Sequence, residues 1–123
     1  MTKSEFYAKW LEIFASDIPK GALKKYVQST GNYIWHIFSW DLLDKKQYLL
    51  GDAAKAAYDK IDKRGAVYID WFEDDHTKDI TWPLNTARAL DEFAEVYVVG
   101  KDFDWTYIKT HEGMCGPYFL KLK

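Results

Sequence analysis

One run constrains this chain more than any other: Asn32-Tyr-Ile-Trp-His-Ile-Phe-Ser-Trp-Asp41, its most apolar stretch. Read with a period of two, Tyr33, Trp35, Ile37 and Ser39 share one face, and Ile34, His36, Phe38 and Trp40 share the other. Both faces are aromatic or β-branched, so the pattern predicts a central strand covered on both sides. Such a strand needs partner strands beside it and helices to cover it. A chain of 123 residues is one domain with room for a single core. Rings make up 18% of it, and each buries a large area, so a compact core is within reach.

The other elements follow in order. Thr2 and Glu5 have capping-box spacing, and Phe6, Trp10, Ile13 and Phe14 recur at helical intervals behind them. Pro19 opens a short second helix carrying Ala22, Leu23, Tyr26 and Val27, and Ser29-Thr-Gly-Asn32 is a turn cluster. Asp44 to Gln47 reads as a polar connector. Asp52 reads as the N-cap of an alanine-rich helix, with Gly65 as a left-handed stop after it. Ala66 to Phe72 is a second strand, followed by an acidic loop from Glu73 to about Ile80. Asn85 is the expected cap of a short helix through Ala89, Leu90 and Phe93. Glu95–Val99 and Trp105–Thr110 flank a glycine-containing loop and predict an antiparallel hairpin. Tyr118–Leu120 is a short last strand or a docked tail. The expected fold is α+β: one domain over residues 1–123, with a mostly antiparallel sheet of about four strands and helices mainly on one face.

Charge and cysteine usage narrow the function classes. Lys plus Arg number 17 against 19 for Asp plus Glu, a net charge of −2, which argues against a general nucleic-acid binder. Cys115 is the only cysteine, so no internal disulfide can form, and a reducing compartment is the simpler reading. No apolar run reaches the ~18 residues of a membrane helix. The N-terminus lacks a signal-peptide core, so a cytoplasmic location is expected. Walker-type, GxGxxG, GxSxG and CxxC motifs are absent, and no cofactor is expected.

Several polar residues stand out against this apolar background. His36, among Ile34, Phe38 and Trp40, needs a partner, and a backbone carbonyl or Asp70 is the plain solution. Asp70 itself sits inside an apolar strand, where an uncompensated charge is costly. Glu73, Asp74, Asp75, His76 and Asp79 collect metal-type ligands at a spacing that matches no EF-hand or zinc motif. They read instead as a solvated face able to steer a basic protein partner. His111 beside Glu112 is an acid–base pair by composition, with Cys115 close by as a nucleophile. The competing reading is a corner shaped by Gly113, Gly116 and Pro117. Six Trp and nine Tyr exceed the obvious needs of so small a core, so part of the ring surface is free to form an interaction face.

Tyr33-Ile-Trp-His-Ile-Phe-Ser-Trp40, Leu50-Gly-Asp-Ala-Ala-Lys-Ala-Ala-Tyr58, Asp102-Phe-Asp-Trp-Thr-Tyr-Ile-Lys-Thr-His-Glu112 and Gly116-Pro-Tyr-Phe119 together resemble a small bacterial family of unknown function. In that family WHxFS, GDxAxxA and WTY-THE-GPYF segments recur in single-domain proteins. The matching positions here include Trp35, His36, Gly51, Asp52, Trp105, Thr110, His111, Glu112, Gly116, Pro117 and Tyr118. The resemblance implies a bacterial cytoplasmic α+β protein and brings no activity or cofactor with it. The expected function is therefore non-enzymatic binding, in the manner of an immunity protein that neutralises a toxin. The alternative is a small-molecule binder or enzyme with a His/Asp/Glu cleft on the sheet. Candidate binding residues are His36, Asp70, Asp74, Asp75, Trp105, His111, Glu112 and Tyr118. None is assigned to catalysis or to a metal.

Overall fold

The computed structural model describes residues 1–28, 31, 33–40, 42–43 and 47–122. The capping box forms as its spacing implies. Thr2 Oγ1 accepts from the Glu5 N–H at 3.2 Å, and the Glu5 carboxylate accepts from the Thr2 N–H at 3.0 Å. These bonds open α1, Lys3–Phe14, whose Phe6, Trp10 and Phe14 are buried. The Thr2 backbone N–H, and then the Thr2 hydroxyl, hold the Glu5 carboxyl below its usual range. Behind Pro19 comes α2, Lys20–Tyr26.

The run 33–40 is not a strand. Trp35 has helical backbone angles (φ −63°, ψ −13°), and His36–Ser39 is a single helical turn, α3. The Ser39 N–H bonds to the Trp35 carbonyl and the Trp40 N–H to that of His36. The reason lies in which side chains go inside. Ile34, Ile37 and Phe38 are buried, spaced i, i+3 and i+4. In a run where nearly every position is apolar, that helical stripe is hidden beneath an equally good alternation. Asn32, Asp41, positions 29 and 30 of the expected turn, and 44–46 of the expected connector lie outside the described residues.

Past the connector, Tyr48–Leu50 forms β1 and Asp52–Lys60 forms α4. The N-cap of α4 is Gly51, at φ +65°, one residue before the expected Asp52. Val67–Asp70 is β2. The expected acidic loop contains a strand of its own, β3, Lys78–Asp79, paired with β2. Ala87–Leu90 is α5, capped by Thr86 rather than Asn85 through an Ala89 N–H bond of 3.3 Å. The hairpin stands as expected: β4, Val96–Val99, runs antiparallel to β5, Trp105–Lys109. Its loop turns tightly at Gly100, where an added Cβ would lie 2.1 Å from the Asp104 carboxylate and 2.5 Å from the Trp105 indole nitrogen. Tyr118–Lys121 is a true strand, β6.

All the pairings are antiparallel, and the order is β1-β6-β5-β4-β2-β3. The sheet thus has six strands, not about four. The two extra ones, three and two residues long, are too short to leave a period-two signal. Helices cover both faces, three on one and two on the other, where the expectation was mainly one. Tyr97, Val99, Ile108, Tyr118 and Leu120 meet α1, α2 and α3. Val96, Val98, Trp105, Tyr107 and Phe119 meet Ala54 and Tyr58 of α4 and Ala87 and Leu90 of α5. The strand covered on both sides is β4, buried at all four positions. No helix among the described residues is long and apolar enough to cross a membrane.

On the α4 side, the Tyr107 hydroxyl is buried with no hydrogen-bond partner among the described residues. Burial also pushes its phenol pKa upward. Tyr107→Phe removes that unsatisfied group and keeps the ring against Tyr58, 4.6 Å away. It should raise stability by about 1 kcal/mol, read as a higher midpoint in urea unfolding. A lower midpoint would show that the hydroxyl has an acceptor.

Candidate functional site

The site begins with a buried charge. Glu95 directly precedes the four apolar residues of β4, and its side chain is 0% exposed. A carboxylate there is costly unless donors surround it. His111 Nδ1 lies 2.7 Å from Oε1, the His111 backbone N–H 3.4 Å from the same oxygen, and the Tyr97 hydroxyl 2.6 Å from Oε2. A carboxylate only accepts, so Nδ1 carries the proton that points at Glu95. The Tyr97 oxygen in turn lies within reach of the backbone N–H groups of Ile34 and Trp35. Burial, and then the Glu95 charge, push the Tyr97 phenol well above its ordinary pKa.

These bonds join two segments distant in sequence. Tyr97 reaches the turn at 34–35, ahead of α3. His111 stands at the start of the corner that runs to cis-Pro117. That corner is closed internally, since the Thr110 hydroxyl reaches the carbonyls of Glu112 and Cys115. The far nitrogen of His111, Nε2, lies 3.5 Å from Glu112 Oε1. Rings enclose the imidazole: Tyr33 at 4.9 Å, Phe72 at 5.5 Å and Trp35 at 5.7 Å between centroids. Tyr97, Glu95, His111 and Glu112 therefore form one connected line from the sheet interior to the surface.

Between the two segments opens a cleft of about 550 Å³. One lip carries Trp35, His36 and Trp40, and the other carries Glu112, Met114 and Cys115. Trp40 is 56% exposed and Met114 fully exposed. Trp35 is buried, and its indole N–H has no acceptor among the described residues. Both lips are anchored on the same carboxylate, Glu95.

Of the residues expected from sequence, His36, His111 and Glu112 come together here. Both imidazoles contact Trp35, at 4.3 and 5.7 Å. The partner of His36 Nδ1 is the Tyr26 carbonyl, at 3.0 Å. Asp70 and Asp74 build the turn after β2. Asp70 accepts from the Phe72 and Glu73 N–H groups, while Asp74 accepts from the Asp70 N–H and pairs with Lys78 at 3.0 Å. Asp75 is exposed, and its carbonyl receives the Lys3 N–H. Trp105 and Tyr118 are buried, Trp105 against Tyr58 and Phe119, Tyr118 stacked on Phe38 at 4.7 Å. No group of three or more metal-ligating side chains occurs among the described residues.

Sequence reasoning passed over Glu95, Tyr97, Trp40 and Met114. A signal for Glu95 was present, since a lone acid abutting Val-Tyr-Val-Val faces the same cost of burial that was weighed for Asp70. No curated protein and no solved structure matches this chain. A family model described as a domain of unknown function, DUF4275, matches residues 3–119, and the chain belongs to that family.

Proposed function

We propose that the protein is a non-enzymatic binding protein whose binding face is the cleft between the 35–40 and 112–115 lips. The observation that carries this reading is the pairing of an exposed Trp40 and Met114 at the mouth of a cleft whose walls share one buried anchor. Trp and Met are enriched at the centres of protein interfaces, and a fixed cleft loses little entropy when a side chain enters. The acidic balance of the chain suits a basic partner. By analogy of size and charge, the role is that of an immunity-type protein that masks a toxin.

The test is affinity capture from the native host, with bound partners quantified. Wild type is compared with a Trp40→Ala/Met114→Ala variant and a Trp82→Ala control, Trp82 being 84% exposed outside the cleft lips. A partner held by wild type and the control but lost from the cleft variant is the expected result. A partner held equally by all three places the binding face elsewhere and overturns the reading.

A second reading is favoured by one observation, the carboxylate-held His111 beside Glu112 at a cleft that also carries Cys115. It makes the protein a small-molecule binder or enzyme. A thermal-shift screen against nucleotides and common metabolites separates the two. A ligand at 100 times its dissociation constant adds about 2.7 kcal/mol, and a hit abolished by His111→Ala would favour the second reading.

A further inference from the structure

We infer that the cleft recognises an arginine side chain presented by the partner, a step that rests on the binding reading above. The first argument is charge. Among the described lining residues Glu112 is the only fully charged group, and no lysine or arginine is present. An anionic group entering the cleft would meet a carboxylate with no cation to offset it. A cation would meet its counter-charge at the mouth.

The second argument is the rings. Elsewhere the protein covers aromatic faces with its own lysines: Lys3 over Trp71 at 4.3 Å, Lys63 over Tyr58 at 4.6 Å, Lys9 over Phe103 at 4.8 Å and Lys25 over Tyr26 at 5.1 Å. Among the described residues, the cleft indoles Trp35 and Trp40 receive no such cation. Trp35 is buried, so the open cation position is on Trp40, which is 56% exposed. Arginine fits better than lysine because its planar guanidinium stacks on indole while its fork of N–H groups pairs with a carboxylate. Glu112 Oε1 lies 3.5 Å from His111 Nε2, an ion pair when the imidazole carries both protons. His111 is fixed by Glu95 at 2.7 Å, so it is a positioning residue for the carboxylate that touches the ligand.

The experiment is an NMR titration that follows the indole N–H signals of Trp35 and Trp40. The probes are acetyl-Gly-Arg-Gly-amide and its neutral isostere acetyl-Gly-citrulline-Gly-amide. Saturable shifts with the arginine peptide are expected, with binding about tenfold weaker for the citrulline peptide, the worth of one charge-assisted hydrogen bond. Glu112→Gln, an exposed change that leaves the core untouched, should narrow the gap between the two peptides, leaving only the contribution of the indole. Equal binding of the peptides by wild type, or no shift with arginine at tens of millimolar, overturns the assignment. If capture still depends on Trp40 and Met114 in that case, the binding face stands and only the arginine assignment falls. If the arginine peptide binds but capture ignores the cleft variant, the cation site stands and the partner-binding reading falls.

Discussion

Replacing Glu95 by alanine is expected to destabilise the fold by about 3–5 kcal/mol, because two donors lose their acceptor at roughly 1–3 kcal/mol each. The substitution leaves His111 Nδ1–H and the Tyr97 hydroxyl without their acceptor, and Tyr97 is 0% exposed. It also removes the group that links His111 to Tyr97, whose oxygen lies within reach of the 34–35 N–H groups. Glu95→Gln keeps the shape and one accepting oxygen but turns an amide N–H₂ toward a donor. Its cost should be smaller, about 1–3 kcal/mol. Urea unfolding measures both. Losses under about 0.5 kcal/mol, the range of ordinary surface changes, would mean that the carboxylate is not the anchor of the cleft.

Trp10→Ala should cost about as much, ~3–5 kcal/mol, but through packing rather than charge. Trp10 is fully buried on α1, with Phe14 at 4.9 Å and Phe38 at 6.2 Å between ring centroids. Its indole N–H donates to Thr106 Oγ1 at 3.0 Å, and that hydroxyl donates to the Val98 carbonyl at 2.8 Å. Truncation therefore empties a ring-sized volume and unpins α1 from the two central strands at once. Trp10→Phe retains most of the volume and loses the bond, so its cost should fall well below that of alanine. Calorimetric melts of the pair would separate the two contributions, and equal losses would show that the hydrogen bond rather than the volume matters.

Much of the fold was legible because local chemistry and tertiary packing agree there. The Thr2–Glu5 box, the Phe6/Trp10/Phe14 stripe and the Val96–Lys109 hairpin each carry a signal that needs no distant partner. The 33–40 run was misread because its period is ambiguous, and only the packing of Ile34, Ile37 and Phe38 into one core chooses the helical one. The doubly covered strand was there to be found in Val-Tyr-Val-Val, where four consecutive apolar residues alternate between two cores.

The site divides in the same way. His36, His111 and Glu112 stood out as polar groups beside apolar ones; His36 and Glu112 line the cleft, and His111 contacts Glu112 and Trp35 of its walls. Glu95 was passed over in favour of Asp70, because sequence does not say which of two acids at a strand terminus the distant 111–117 corner will cover. The two acids are neighbours at one end of the sheet, where Asp70 pairs with Val96, yet Asp70 caps a turn while Glu95 is fully buried and holds His111. The exposure of Trp40 and Met114 has no local signal at all. It depends on which surfaces the other elements leave uncovered.

The most direct measurement is site-specific photo-crosslinking in host extract, with the reactive group placed at position 114 in one preparation and at position 82 in another. The account predicts that one partner is trapped from 114 and not from 82, and that its crosslinked peptide contains an arginine. Trapping of the same partner from 82 alone would contradict it.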